Sequence, residues 1–324
     1  MKAILCTQFG PPETLVFDEI ESPKAGKGQV VVSVKACGVN FPDTLMIDGK
    51  YQFKPPFPFS PGGEVAGVIK EVGEGVTHLS VGDNVFALTG HGGFAEEVVA
   101  NASTTLLMPD GMDYVTAAST LYTYGTSYHA LKDRANLKPS ETLLVLGAAG
   151  GVGLAAVQLG VLMGARVIAA ASSDEKLAVC RQLGAHETIN YTAEDLRERI
   201  KILTEGTGID VVYDPVGDRY AEPCIRSLAW KGRYLVVGFA AGSIPTIPLN
   251  LALLKGASLV GVFWGAFAQR EPAVSLANFD QILRWINDGQ LTQHIYKTYP
   301  LTEAPLALRA LMDRQVIGKA VVVL

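Results

Sequence analysis

LLVLGAAGGVGLAAVQLGVLMGA, residues 143–165, carries no charged side chain and a single polar amide, Gln158. Its length permits a membrane span, for which about 20 apolar residues suffice. Its six glycines argue against one. Gly147, Gly150, Gly151 and Gly153 would fray a continuous helix, each interior glycine costing about 0.5–1 kcal/mol relative to alanine. The stretch divides better into parts. Thr142–Leu146 is leucine-rich, bounded by glycine, and suits a strand buried on both faces. Residues 147–153 make a tight turn, and 154–163 are good helix formers. RVIAAA (166–171) follows at once as a second buried strand. Strand, glycine turn, helix and strand within about 30 residues is a βαβ unit.

The turn carries a dinucleotide fingerprint in altered form. In G-x-G-x-x-G, glycines follow a strand and open a helix. Here Ala148, Gly150 and Gly153 stand at the three positions. Gly150 lets main-chain amides approach a pyrophosphate with no Cβ in the way, and Gly153 lets the helix pack close to the strand. The helix N-terminus adds unpaired N–H groups and the positive end of its dipole. The tip of the second strand selects the nucleotide. NAD needs a carboxylate about 20 residues past the glycines, for the ribose 2′-hydroxyl. This chain has Ala171-Ser172-Ser173-Asp174-Glu175-Lys176. Two hydroxyls and an ammonium suit a 2′-phosphate, so these residues point to NADPH. Ser172-x-x-Glu175 also reads as a capping box for a helix over 174–183, and one helix start serves both purposes.

Further strands are expected at Ile209–Asp214, 233–238 and 258–263, with helical patterns over 196–205 and 220–228. Alternating strands and helices give an α/β fold with a doubly wound parallel sheet, a Rossmann domain over residues 122–263. Residues 1–121 differ. Runs such as 29–35, Glu64–Val72 and 82–87 are short and punctuated by Gly and Pro, and the proline-rich YQFKPPFPFSPGG (51–63) excludes helix or central strand. This half reads as a β-rich, partly open domain. Residues 264–324 follow the last sheet strand and end in KAVVVL (319–324), expected to return to that first domain.

The 324 residues exceed one ordinary core, which agrees with two domains. Hydrophobic content of 48% with 18% charged excludes a disordered chain. A net charge of −5 without basic runs gives nucleic acid no footing. Cys6, Cys37, Cys180 and Cys224 are scattered, and Gly10-Pro11-Pro12 interrupts the N-terminus before a secretory core can form. Both features read as cytoplasmic.

ACGVNFPD (36–43), PGGEVAG (61–67), GDNVFAL (82–88), AAGGVG (148–153) and GK (318–319) occur in order and at matching spacing. On these motifs the chain resembles the medium-chain dehydrogenase/reductase superfamily, and within it the zinc-independent quinone oxidoreductases. Residues 226–265 look more specifically like the quinone oxidoreductase-like protein 2 group. The resemblance spans essentially the whole chain. It implies a barrel-like, GroES-like catalytic domain of residues 1–121 and 264–324 beside the Rossmann domain. Zinc-dependent members carry a cysteine and a histidine ligand at positions that are Asn40 and Gly63 here, and residues 80–115 hold no cysteine for a structural zinc. Zinc catalysis needs about three protein ligands, so no metal is expected. Cys37 then reads as a core residue, and His91 and His129 as ordinary histidines.

Without a Lewis acid, alcohol oxidation is unfavourable. A quinone or enone instead accepts hydride at carbon and spreads charge onto oxygen. The protein then supplies orientation, exclusion of water and a donor near that oxygen. Resemblance and chemistry together name Asn40 as a contact to the nicotinamide ribose or the acceptor. Tyr51 is either a proton donor or an aromatic wall, Asp43 an orienting group, and Glu64 structural. Carried over from the family, cofactor contacts are expected from Asn40 and Thr126 near the nicotinamide, and from Gly150, Gly151 and Val152 at the pyrophosphate. Ser172, Ser173, Lys176 and Tyr191 would surround the 2′-phosphate, and Val216, Phe239, Phe263, Trp264 and Lys319 would line the cleft. Phe263 and Trp264 read equally well as core or interface aromatics. Tyr124-Gly125-Thr126 departs from the family's usual Gly-Leu-Thr.

Three functions compete: an NADPH-dependent reductase of quinones or conjugated carbonyls, a reductase of unsaturated acyl-CoA thioesters, and a non-catalytic NADPH-binding protein. Few Lys or Arg are candidates for holding a thioester's phosphates (Lys50, Lys54, Arg270), which favours the quinone. In the family the strand at 258–263 often pairs with its symmetry mate. SLVGVF carries no charge to blunt such an edge, so a homodimer is expected.

Overall fold

Thr142–Leu146 is a strand, and Leu143 to Leu146 are fully buried in it. It pairs in parallel with Arg166–Ala171 on one side and Ile209–Asp214 on the other. The computed structural model describes residues 1–324 and separates them into two units, Met1–Tyr122 with Gln293–Leu324, and Thr123–Thr292. The second unit holds a six-stranded parallel sheet. Its order is Glu187–Asn190, Arg166–Ala171, Thr142–Leu146, Ile209–Asp214, Leu228–Val236 and Ser258–Gly261. Numbered along the chain this is 3-2-1-4-5-6, the doubly wound order. The order reverses between Thr142–Leu146 and Ile209–Asp214. In a sheet of this order the connections diverge there, and a crevice is expected outside the carboxyl ends of those two strands.

The helix Gly151–Leu162 follows the glycine turn and is buried from Gly153 to Gly160. Its lone amide is fully used: Gln158 Nε2 donates to the Tyr124 hydroxyl and to Thr292 O, each at 3.0 Å, and Gln158 Oε1 accepts the Thr292 N–H at 3.0 Å. A buried amide of this kind is tolerated only when paired. No helix is long and apolar enough to cross a membrane.

The helices Trp264–Arg270 and Pro272–Asn287 belong to the second unit, so the chain returns to the first at Gln293 and not at 264. Side-chain packing explains the difference. Phe267 stacks on His129 at 3.8 Å, and Asn278 bonds both Lys132 and Asp133 at 2.9 and 2.8 Å.

The first unit is built on Gln29–Gly38, which pairs antiparallel with Glu64–Val72, Glu97–Asn101 and Lys319–Val323. Val30, Val32, Val34, Val65, Val98 and Val322 of these strands meet in one core with Phe94 and Val85. KAVVVL does return to this sheet, pairing Val321 with Gly38.

Candidate functional site

The carboxyl-end crevice of the second unit is lined by two loops. Gly147 has φ of +56°, a left-handed conformation, and a Cβ there would meet Val216 Cγ2 at 2.7 Å. Gly150 caps the helix Gly151–Leu162 with no side chain to engage the first-turn N–H groups. A Cβ on Gly150 would find only Gly147 O, at 3.5 Å, so that face of the turn is open. A Cβ on Gly153 would meet Gly147 O at 2.3 Å and Ala148 main-chain atoms at 2.8 Å. One glycine leaves room for something outside the chain, the other for the chain itself. Ser127 Oγ donates to Val152 O at 2.8 Å and accepts the Tyr213 hydroxyl at 2.9 Å, which pins the turn from behind. Across the crevice, buried Asp214 accepts the N–H groups of Val216 and Gly217 at 2.6 and 2.8 Å and the Tyr234 hydroxyl.

At the tip of Arg166–Ala171, the cap of the next helix is Ser173, whose Oγ accepts the Lys176 N–H at 3.4 Å. The capping box expected from Ser172 is therefore displaced by one residue. Ser172 is left to meet Lys176 differently, its Oγ accepting from Lys176 Nζ at 3.3 Å. Tyr191 donates its N–H to Ala171 O at 3.2 Å and lies 4.5 Å from the Tyr220 ring. Asp174 is turned away, accepting from Asn190 Nδ2 at 2.9 Å. Ser172, Ser173, Lys176 and Tyr191 thus gather at one strand tip. Phe239 packs against Gly217, its ring 2.9 Å from where a Cβ would sit. Trp264 is buried edge-to-face on Phe279 at 6.0 Å, while Phe263 is 65% exposed. Thr126 is half-buried, one residue from Ser127.

The first unit carries a separate polar cluster. Gln29–Gly38 leads through Asn40 into the helix Phe41–Ile47. Asn40 Nδ2 donates to Gly38 O at 3.2 Å and Glu64 Oε2 at 2.9 Å, and Asn40 Oδ1 accepts from Lys319 Nζ at 2.6 Å. Lys319 Nζ also donates to Val39 O at 3.1 Å and Glu64 Oε2 at 3.3 Å. Glu64 Oε1 accepts the Tyr122 N–H at 3.0 Å. Glu64 is 0% exposed and Lys319 5%. Ionised groups at such depth persist because each is paired and hydrogen-bonded.

Asp43 belongs to the same cluster. Its Oδ2 accepts the Asn40 N–H at 2.8 Å and its Oδ1 the Gly62 N–H at 3.3 Å. Burial pushes its pKa up to about 7, against the pull of the Asn40 amide, Lys319 and the Gly62 amide. Burial, and then the charge of Asp43, raise the hydroxyl pKa of both Tyr51 and Tyr122, so both stay protonated near neutral pH. The structure thus brings Asn40, Asp43, Tyr51 and Lys319 together and adds Glu64 and Tyr122. Tyr122 was not singled out from the sequence, because only the fold brings it beside Asp43 and Glu64.

The Asp43 shift has a consequence for stability. Relative to an ordinary 3.8, a folded value of about 7 means that the folded state holds this proton more tightly. The contribution is fully present below pH ~4 and is lost as pH rises through about 7, by up to about 4 kcal/mol. Denaturant unfolding at pH 5 and pH 8 should show a loss for the wild type that Asp43→Asn lacks, since asparagine keeps an acceptor for the Asn40 N–H. Parallel profiles would contradict this assignment.

The donor set does not fit zinc. Position 40 is a neutral amide, position 63 a glycine, and the Lys319 ammonium already contacts both Asn40 and Glu64. No three His, Cys, Asp or Glu side chains cluster to hold a metal ion. Cys37 is buried, which pushes its thiol pKa well up.

Residues 26–110 match the alcohol dehydrogenase GroES-like domain, and residues 151–279 match the family described as zinc-binding dehydrogenase. Sheet order and the two matched domains define a medium-chain dehydrogenase/reductase. Within that superfamily the chain belongs to the quinone oxidoreductase family. It is 40% identical over 324 residues to a quinone oxidoreductase-like protein 2 homolog from Nematostella vectensis, covering 99% of this chain and 88% of that one. A quinone oxidoreductase from Pseudomonas aeruginosa is 34% identical over 322 residues, covering 99% and 98%. Among solved structures, a mycobacterial protein complexed with NADPH is similar at a TM-score of 0.94 and 32% identity, covering 100% of both chains. Escherichia coli quinone oxidoreductase complexed with NADPH gives 0.93 and 28%, again covering 100% of both.

Proposed function

We propose that the protein is an NADPH-dependent reductase of quinones or related conjugated carbonyls that works without zinc. The observation that carries this reading is the glycine turn, open at Gly150 and closed at Gly153, with a hydroxyl-and-ammonium strand tip beside it. These residues fit the cofactor. The main-chain amides of Gly150, Gly151 and Val152 would hold its pyrophosphate, and Ser172, Ser173, Lys176 and Tyr191 its 2′-phosphate. Asn40 and Thr126 are proposed to contact the nicotinamide end, with Val216, Phe239, Phe263, Trp264 and Lys319 as further contacts. When bound, the cofactor supplies hydride.

The remaining work falls to this chain's side chains. Hydride addition to a conjugated carbonyl places negative charge on oxygen, which a neutral hydroxyl can stabilise and protonate. Tyr51 and Tyr122 remain such hydroxyls near neutral pH. Asp43, after burial, helps keep them protonated. The quinone specificity draws support from the relatives named quinone oxidoreductase.

A steady-state screen of NADPH oxidation against ortho-quinones, para-quinones, enones and enoyl-CoA thioesters tests the reading. Turnover with quinones is expected. Turnover confined to thioesters would move the substrate class, and none with any acceptor would leave a binding protein. Lys176→Ala should weaken NADPH about tenfold while changing NADH less than about twofold, as loss of one charge-assisted contact requires. Equal losses for both coenzymes would contradict the 2′-phosphate assignment.

We also propose a homodimer in the cytoplasm. Ser258–Gly261 is an edge strand of its sheet, and Trp230, Leu249, Leu253, Leu254 and Phe263 are each at least 65% exposed. Exposed large apolar side chains together with an open sheet edge are what a second copy would cover. All four cysteines are unpaired, which agrees with a reducing compartment. Sedimentation equilibrium should return twice the chain mass; a monomer at micromolar concentration would contradict the dimer.

A further inference from the structure

The proline-rich stretch of the first unit sets an unbroken row of rings at its surface. Phe9 meets Phe57 edge-on with centroids 4.7 Å apart, and Phe57 runs near-parallel to Phe59 at 5.8 Å. Phe59 is near-parallel to His91 at 6.3 Å, and His91 meets Phe53 edge-on at 5.8 Å. Rings in face contact stand about 3.5–4 Å apart. Near-parallel rings at the larger centroid separations seen here are therefore displaced sideways, and part of each face is left uncovered by its neighbour. The row is held from behind. Phe59 is buried and exchanges both main-chain hydrogen bonds with Cys6, at 2.7 and 3.1 Å. Phe9 lies against Gly49, where a Cβ would come 3.0 Å from its ring carbons. Phe9, Phe53 and Phe57 are nevertheless 43%, 54% and 43% exposed. One exposed phenylalanine needs no explanation, but three in a contiguous, anchored row mark a binding surface. The charge at its rim is the Lys54 ammonium, 5.7 Å from the Phe9 ring centroid, while the neighbouring Lys50 is paired with Asp48 at 2.6 Å.

We propose that Phe9, Phe53 and Phe57, backed by Phe59 and His91, are specificity residues of the first unit that hold the flat ring of a quinone and select ring acceptors over open-chain enones. The inference rests on the reductase reading above and chooses between acceptors which that reading leaves together. A phenylalanine ring carries negative charge on its faces and positive charge at its edge. The two carbonyls of a quinone draw electrons out of its ring, so its face is the electrostatic complement of a phenylalanine face. Its oxygens carry partial negative charge, which an ammonium at the rim attracts. An open-chain enone has no ring face to offer. Tyr51, proposed above to serve the acceptor's oxygen, stands two residues before Phe53 on the same segment. Because the anchored rings are already in place, little ordering opposes binding.

The test is steady-state NADPH oxidation with naphthoquinone and with methyl vinyl ketone, an open-chain enone. Phe53→Ala/Phe57→Ala should raise the KM for naphthoquinone about tenfold, the worth of two modest ring contacts, and change that for the enone less than about twofold. Phe53→Leu/Phe57→Leu keeps apolar bulk without a π face and should still raise the naphthoquinone KM about threefold or more. Phe53→Tyr/Phe57→Tyr should stay within about twofold of wild type for both acceptors. NADPH affinity, unchanged in all three, reports that each variant is folded. Equal shifts for the two acceptors, or a leucine variant that behaves as wild type, would overturn the role of the ring faces. Two further measurements address other occupants. Wild-type binding to vesicles of equal parts phosphatidylcholine and phosphatidylglycerol, lost in the alanine variant, would assign the rings to a lipid surface and overturn the proposal. So would an alanine variant whose sedimenting mass falls to half that of wild type, which would assign them to a second copy of the chain. Turnover of no quinone by the wild type is a separate result, and it would remove the reductase reading along with the inference.

Discussion

Gly153→Ala should destabilise the protein by about 3 kcal/mol, whereas Gly150→Ala, three residues earlier, should leave stability within about 0.5 kcal/mol and weaken NADPH binding at least about tenfold. At 153 the new methyl would stand 2.3 Å from Gly147 O and 2.8 Å from two Ala148 main-chain atoms. These are backbone atoms and cannot swing aside, so the helix Gly151–Leu162 would have to lift off its strand. At 150 the backbone already has φ −76° and ψ 170°, which alanine adopts freely, and the nearest atom is 3.5 Å away. The methyl would stand where a pyrophosphate must approach the amides. Thermal denaturation and NADPH titration of the two variants separate these effects. Wild-type affinity in a well-folded Gly150→Ala would place the pyrophosphate elsewhere.

Lys319→Met is the second large effect. Removing the ammonium leaves Glu64, 0% exposed, facing the neutral donors Asn40 Nδ2 and the Tyr122 N–H without its cation. Breaking a buried ion pair from one side costs about 3–5 kcal/mol, because the remaining charge cannot reach water. A fall in melting temperature of roughly 10 °C is expected. Adding Glu64→Gln should restore much of it, since a neutral pair needs no compensation. A single variant as stable as wild type would mean that Glu64 finds water or another cation.

The second unit was largely legible because its signals are local. Short apolar runs that end at turn residues read as buried strands, and Thr142–Leu146, Arg166–Ala171 and Ile209–Asp214 fall where the pattern puts them. Element ends were less secure. Leu228–Val236 begins earlier than Arg233 because Ala229, Trp230 and Lys231 continue the strand without an alternating pattern. The long helix Pro272–Asn287 was passed over, although Pro272 at its start and the spacing of Phe279 and Ile282 are helical signals. Its packing on the segment around His129 depends on residues some 150 positions apart, which spacing cannot reveal. The polar cluster of the first unit was legible only in part. Asn40, Asp43 and Tyr51 lie close in sequence. Glu64, read as structural, proves to bond Asn40 and Lys319; Lys319 reaches the cluster through strand pairing, and Tyr122, at the start of a helix, through its N–H to Glu64.

The central claim is that this glycine turn and strand tip seat NADPH in preference to NADH. Isothermal titration of the purified protein with each coenzyme tests it most directly. One site per chain, occupied at least about tenfold more tightly by NADPH, is the result predicted from Ser172, Ser173 and Lys176. Binding of neither coenzyme, or tighter binding of NADH, would contradict it.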